Sequence, residues 1–308
     1  MTLESIALLI AASINSGTGL ALAALGLLLN ERAGVLNLGA EGLMLVAAVA
    51  GFATGVATHS DTLALLAGAG AAACLSLPFG LLVIGLNTNQ VATGLALSLF
   101  GSGLSAFLGV HYTQETLGER SHFVIPLLSK IPFFGPAFFA FHPVVYLTVA
   151  LALGMGWFFF RSRSGLVVRA VGESPESAHA LGYSVRRIRL LAVVAGGALC
   201  GFAGAYISVI YTPLWVEGMT AGKGWIALAL TTFATWRPAR VLLGAYLFGG
   251  VTMLQLHMQG AGVDLPVQLL TMLPYLATIG VLVLIARNPA WIRANMPASL
   301  GKPFFPGS

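Results

Sequence analysis

Side chains able to do chemistry are few in this sequence, and they are clustered. Of 308 residues only 8% are Asp, Glu, Lys or Arg, while 57% are hydrophobic. A polar cluster within an apolar stretch therefore needs a reason, because charge inside hydrocarbon is costly and by default marks function. Four clusters stand out. The first, Asn30 to Gly42 (NERAGVLNLGAEG), combines Asn37 and Glu41 with Gly34, Gly39 and Gly42. Counting from Leu36 at 1.5 Å per residue puts Glu41 about 8 Å into a span. Such a stretch suits a helix that starts or breaks within the protein and turns backbone groups toward a cavity. Asn37 and Glu41 then either line a solute pathway or tie neighbouring helices, for instance through Arg32. The second cluster is Asn87, Asn89 and Gln90, in NTNQVATGLALSL; these amides either cap the free N–H groups of a helix start or contact a polar solute. The third sets Glu217, Thr220 and Lys223 among Gly218, Gly222 and Gly224 at the head of a short apolar run. A helix start there points its positive dipole end inward, with Lys223 either beside it or snorkelling to the surface. The fourth is the loop Arg161 to Arg189, RSRSGLVVRAVGESPESAHALGYSVRRIR. In it Ser174 reads as a helix cap, Pro175 as the first helical position, Glu176 as a first-turn acid and Gly182 as the stop.

Covalent chemistry has no support in the sequence. A nucleotide site of the form G-x-x-x-x-G-K-[ST] is missing: Gly218 to Gly224 (GMTAGKG) has one residue too few between its glycines, and Gly224 where a hydroxyl should bind magnesium. There is no H-E-x-x-H, no cysteine cluster, no G-x-S-x-G elbow and no paired carboxylates. His59, His111, His122, His142 and His257 fall on external loops or span ends, where solvated histidine is the default. Cys74 and Cys200 lie in apolar runs and read as buried small hydrophobes. The net charge of +5 reads as membrane topology and not as a sign of nucleic acid.

The elements that must position these clusters are membrane helices. Mean hydropathy is +0.90, and the apolar residues gather in stretches of the roughly 20 that cross a 30 Å hydrocarbon layer. The expected fold is all-α: a single polytopic transmembrane bundle over residues 1–308, with about eight or nine spans. They are Ile6 to Leu29, Leu36 to Thr58, Thr62 to Leu86, Val91 to Val110, Pro143 to Phe160, Leu190 to Tyr211, Val241 to His257 and Val267 to Ala286. A ninth run, Trp225 to Trp236, reaches only about 18 Å as helix and reads as a broken or re-entrant helix. AGVLNLGAEGLM (Ala33 to Met44) and GMTAGKGWIAL (Gly218 to Leu228) faintly echo one another, each placing three glycines ahead of an apolar helix. The N-terminus carries Glu4 and no basic residue before its first apolar run, unlike a secretory signal, so that run is expected to stay as a helix. Positive loops stay in the cytoplasm. Residues 161–189 are therefore placed inside, which puts the N-terminus outside and the C-terminus in the cytoplasm of a multi-pass inner-membrane protein. Residues 111–142 form an external loop, too broken by proline to be a span. It is either an interfacial hairpin packed on the bundle or a docking surface for an external partner.

ERAGVLNLGAEGLMLVAA, NQVATGLALSL, GESPESAHALGYSVRRIRLLAV and GMTAGKGWIALAL, in this order and at this spacing, closely resemble permease subunits of ABC importers for branched-chain amino acids and simple sugars. Within that group they look most like nucleoside permeases that work with basic membrane lipoprotein receptors. The resemblance runs from about Leu29 to Leu284. It implies that Glu176, Ser177, Ala178 and Gly182 correspond to the E-A-A-x-x-x-G loop that engages the ATPase, with Ser177 in place of the first alanine. It also implies that this chain binds no cofactor, ATP and magnesium being held by a partner ATPase subunit. The other implied partners are a second, paralogous permease chain, an external substrate-binding lipoprotein and a small-molecule nucleoside. Ile125 to Phe138 looks like the external loop of the nucleoside branch. The candidate pathway residues are Asn37, Glu41, Asn89 and Gln90, and the amides among them, Asn37, Asn89 and Gln90, suit a neutral, polar solute. The same machine for branched-chain amino acids or ribose is the near alternative. A self-sufficient secondary transporter is a remoter one, since Glu41 alone is placed to couple an ion.

The orientation can be tested in a background without Cys74 and Cys200. Ser129→Cys should react with an impermeant thiol reagent added outside and Ser174→Cys should not; the opposite pattern would invert the topology.

Overall fold

The computed structural model describes residues 3–118, 123–124, 133–261, 266–286 and 295–305. Most of them are helical. The chain forms α1 (Leu3–Arg32), α2 (Ala40–Thr58), α3 (Asp61–Gly80), α4 (Gln90–Gly109), a five-residue α5 (Phe134–Phe138) and α6 (Pro143–Arg161). It continues with α7 (Arg163–Glu173), α8 (Pro175–Ala180), α9 (Val185–Tyr206), α10 (Lys223–Phe233), α11 (Pro238–Gly260) and α12 (Val267–Ala286). One π turn extends α3 to Gly85 and another extends α9 to Tyr211. Seven helices among the described residues are long and apolar enough to span a membrane, and the mostly apolar α12, 20 residues long, has the length for another.

Local rules set the helix starts. Ser60, Asn89, Ser162 and Ser174 each accept a hydrogen bond from a backbone N–H three residues on. His142 caps α6 ahead of Pro143 at the first position. Asn89 is thus a cap, as one of its two sequence readings held. The broken helix is present too: α10 has only 11 residues, about 16 Å of helix.

α1, α2 and α9 form the centre, with Leu20 to Leu25, Leu43 and Met44 of the first two almost fully buried. Membrane helices approach closely where their residues are small. A Cβ on Gly204 of α9 would strike the backbone of Met44 in α2, and one on Gly101 of α4 would strike Gly42. Lipid supplies no hydrophobic drive between helices, so this close fit is what selects the partners.

Three expectations are corrected. α2 starts at Ala40 and not Leu36, so Glu41 lies in its first turn. Residues 35–39 instead run as non-helical chain along α4: the Leu36 N–H donates to Gln90 Oε1 (2.7 Å) and Ser98 Oγ donates to the Leu38 carbonyl (2.9 Å). Gln90 and Ser98 are separated by about 12 Å of helix, so Glu41 reaches depth by re-entry of the chain. Irregular backbone is tolerated at that depth because α4 supplies its partners. Second, α9 begins at Val185, which makes the last residues of the arginine-rich loop helical. Third, Cys74 is exposed in the single chain while Cys200 is buried; the apolar run around Cys74 reports a membrane, and not which face of α3 packs inward.

Basic residues collect at one end. There Arg32 donates to the carbonyl of Trp236 (2.7 Å) and residues 295–305 cover the termini of α7 and α9. At the other end His142 stands 3.6 Å from Asp61. Phe123–Val124 pairs antiparallel with Ala140–Phe141; His122, Ser129 and most of Ile125 to Phe138 lie outside the described residues.

Gly204→Ala should lower stability by about 1–3 kcal/mol through overpacking. Gly154→Ala, where a Cβ meets nothing within 4 Å, should leave it unchanged. Thermal unfolding in detergent measures both.

Candidate substrate pathway and coupling site

One polar constellation is built on Glu41. Its Oε1 accepts from Thr220 Oγ1 (2.5 Å) and the Gly222 N–H (2.8 Å), and its Oε2 accepts from the Gly224 N–H (2.6 Å). Gly222 sits at the N-cap of α10 with φ +81°, a left-handed conformation that glycine adopts without strain. The first turn of a helix exposes unpaired amides and carries partial positive charge. Glu41 satisfies both demands for α10 while it occupies the first turn of α2, so two helix starts share one carboxylate. These are the two stretches whose sequences echo each other.

The far end of α10 is held in the same way. Glu31 of α1 accepts from Thr231 Oγ1 (2.9 Å) and Trp236 Nε1 (2.5 Å), all three buried. The short helix is thus pinned by one carboxylate near each end. Sequence reading singled out Glu41 but gave Glu31 no role, since its partners lie about 200 positions away.

The four residues nominated for the pathway divide. Asn37 is fully buried; its Oδ1 accepts from the Gly39 N–H (2.9 Å) and closes a turn at the end of the re-entrant chain. Its Nδ2 has no hydrogen-bond partner among the described atoms. Gln90 holds the start of that chain through Leu36. Asn37, Glu41 and Gln90 are therefore brought onto one re-entrant segment, and Asn89 stays at the exposed start of α4.

A cavity of about 390 Å³ with a mostly apolar wall opens beside the α10 start. Lys223 lines it together with Tyr211, Thr252, Gln255, Thr271 and Tyr275. Among the described residues no carboxylate belongs to its wall, and Asn37, Glu41, Asn89 and Gln90 do not reach it. Except for Lys223, these lining residues went unnoticed in the sequence. They are spread over four helices, Tyr211 on the extension of α9, Lys223 on α10, Thr252 and Gln255 on α11 and Thr271 and Tyr275 on α12, and no spacing rule connects one helix to another.

At the basic end α8 has the expected form. Ser174 caps it, and Gly182, at φ +88°, ends it in the left-handed region. The Gly182 and Tyr183 N–H groups bond back to the carbonyls of His179 and Ala178. Glu176, Ser177 and Gly182 are exposed, while Ala178 is buried. The six-residue helix shows a polar face outward and seats a small side chain inward.

Glu41→Ala should strand the donors of Thr220, Gly222 and Gly224 and cost on the order of 3 kcal/mol or more. Glu41→Gln, which keeps one acceptor oxygen, should cost less. An unaltered unfolding midpoint for Glu41→Ala would mean that the carboxylate does not hold α10.

Residues 9–282 match the family described as the branched-chain amino acid transport system / permease component. A provisionally named glucose ABC transporter permease, TsgC13 of Haloferax volcanii, is 41% identical over 95% of both chains. The nucleoside ABC transporter permease NupC of Lactococcus lactis is 30% identical over 91% of this chain and 93% of its own. The guanosine ABC transporter permease NupQ of Bacillus subtilis is 29% identical over 99% of this chain and 98% of its own. No solved structure matches the chain. With most of its length matched by the family and its helices built to span a membrane, the chain belongs to the branched-chain amino acid transport system / permease component family: it is a multi-pass ABC transporter permease, not an enzyme.

Proposed function

We propose that this permease is one of two membrane halves of an importer in the cytoplasmic membrane, and that its cargo is a nucleoside. A separate ATPase subunit, holding ATP and magnesium, engages Glu176, Ser177, Ala178 and Gly182 from the cytoplasm. A second permease chain completes the pathway, and an external lipoprotein delivers the solute. The N-terminus lies outside.

The observation that carries the cargo reading is the cavity beside α10. Tyr211 and Tyr275 bring aromatic rings to its wall, Gln255, Thr252 and Thr271 bring polar groups, and Lys223 brings a positive charge. Pockets of this kind orient a ligand through a few polar groups on an apolar wall. A ring-bearing, hydroxyl-rich neutral solute suits that wall better than an anion does, because Glu41 already fills the anion-favouring amides of α10. Of the four residues Asn37, Glu41, Asn89 and Gln90, Glu41 holds the α10 start that borders the cavity, and the other three lie outside its lining. The names of the two nucleoside relatives agree with this reading. The 41% identity to a relative named for glucose favours a second one, a sugar carried by the same machine.

Uptake of labelled adenosine, glucose, ribose and leucine into vesicles bearing the assembled complex separates the readings. Adenosine should accumulate only with ATP. Accumulation of glucose or ribose in its place would transfer the assignment to sugars, and uphill uptake without ATP would overturn the ABC reading.

A further inference from the structure

The C-terminal residues 295–305 are threaded between the two parts of the molecule that an importer has to connect. Phe304 is 5% exposed and packs with Val171, Ala178 and Val185. Its ring lies 5.6 Å from that of His179, edge to face. It therefore fills the space beneath α8, against the one buried alanine of the motif Glu176 to Gly182. A six-residue helix has too few internal hydrogen bonds to hold itself, so its position is set by what it rests on.

The same tail is bonded to the re-entrant chain. Arg189, 3% exposed, donates from Nη2 to Ser299 Oγ (3.0 Å), from Nη1 to the Lys302 carbonyl (3.2 Å) and from Nε to the Ala33 carbonyl (3.2 Å). The Gly301 N–H donates to the Gly34 carbonyl (3.3 Å), and the Ser299 N–H donates to the Gly172 carbonyl at the end of α7 (3.0 Å). Gly34 stands at φ +88°, and a Cβ there would strike Ser299 Oγ and Arg189 Nη2. Seven residues beyond Gly34 is Glu41, the carboxylate that caps α10 at the edge of the cavity.

We propose that the C-terminal tail is the coupling strut of this permease, with Phe304 and Arg189 as positioning residues that pass displacement of α8 to the segment Gly34 to Glu41 and so to the start of α10. The proposal rests on the reading that α8 receives the ATPase. Covalent continuity ties α8 only to α7 and α9; the tail gives it a direct packed route to the wall of the solute cavity. Coupling needs such a contiguous element, and a buried guanidinium with three protein acceptors is a stiff joint.

The test uses the complete complex of permease pair, ATPase and receptor. Phe304→Ala should still co-purify with the ATPase and still hydrolyse ATP, while uptake per assembled complex falls by about tenfold or more. Phe304→Leu should restore uptake. Arg189→Lys, which keeps the charge but loses the forked donors, should give the same split between hydrolysis and uptake. Normal uptake per complex in Phe304→Ala would overturn the proposal, as would a loss of hydrolysis and ATPase binding in step with uptake, since the tail would then only fold the docking site. Gly182→Arg is the separate control. If the ATPase still co-purifies with Gly182→Arg, the docking reading itself fails. If it is released while Phe304→Ala transports normally, only the strut falls.

Discussion

A helix that begins inside a membrane leaves amides that neither water nor lipid can satisfy, and the carboxylate of Glu41 answers that constraint. Much else follows from it. Glu41 can reach the amides of Gly222 and Gly224 only if its own helix also starts at depth, so the chain before Ala40 must enter the bundle unwound. An unwound chain needs partners of its own, and α4 presents Gln90 and Ser98 for the purpose. Its glycines let the strand lie against the helix: a Cβ on Gly94 would meet the backbone of Leu38. Glu31 then fixes the other end of α10 through Thr231 and Trp236. The half-helix becomes a rigid wall for the cavity beside it.

That arrangement divides labour within the chain. The cavity lies near the level where α10 starts, and the machinery that could move it lies at the basic end. Between them run the buried polar joints of Arg32, Arg189 and Ser299. Buried charges are costly unless they are paired or hydrogen-bonded, and here they meet carbonyls just beyond helix ends and in the C-terminal tail, together with the Ser299 hydroxyl. Arg32 bonds to the carbonyls of Trp236 and Asn295, and Arg189 to those of Ala33 and Lys302. Each guanidinium thus locks together termini that no covalent link keeps in place. Under the proposed function, motion of the ATPase subunit enters at such a surface, and this end offers one.

Several features were readable residue by residue. Ser174, Pro175 and Gly182 announced a short capped helix, and Asn89 a helix start, because capping depends on neighbours three or four positions away. The brevity of α10 was equally plain, since 11 residues cannot cross hydrocarbon whatever their surroundings. Glu41 was marked by its cost, yet two roles were left open for it, and the depth assigned to it assumed a helix running from Leu36. That error arose because Val35 to Gly39 is apolar enough to look helical. It is unwound because its hydrogen bonds go to α4 and not to itself.

Composition and hydrophobic run length determined that this protein is a bundle of membrane helices with one of them broken, because both follow from the chain alone meeting a hydrocarbon slab of given thickness. Short motifs likewise determined where the capped helix between α7 and α9 lies. Tertiary structure alone decided which amides Glu41 would satisfy, that Glu31 would pin the opposite end, and that Tyr211, Gln255 and Tyr275 would face one cavity. It also decided that Phe304 would sit under Ala178, more than 120 positions away. Those pairings depend on which helix faces pack against each other, and packing in lipid is selected by the fit of small residues such as Gly204 against Met44, which leaves no periodic trace in a single sequence.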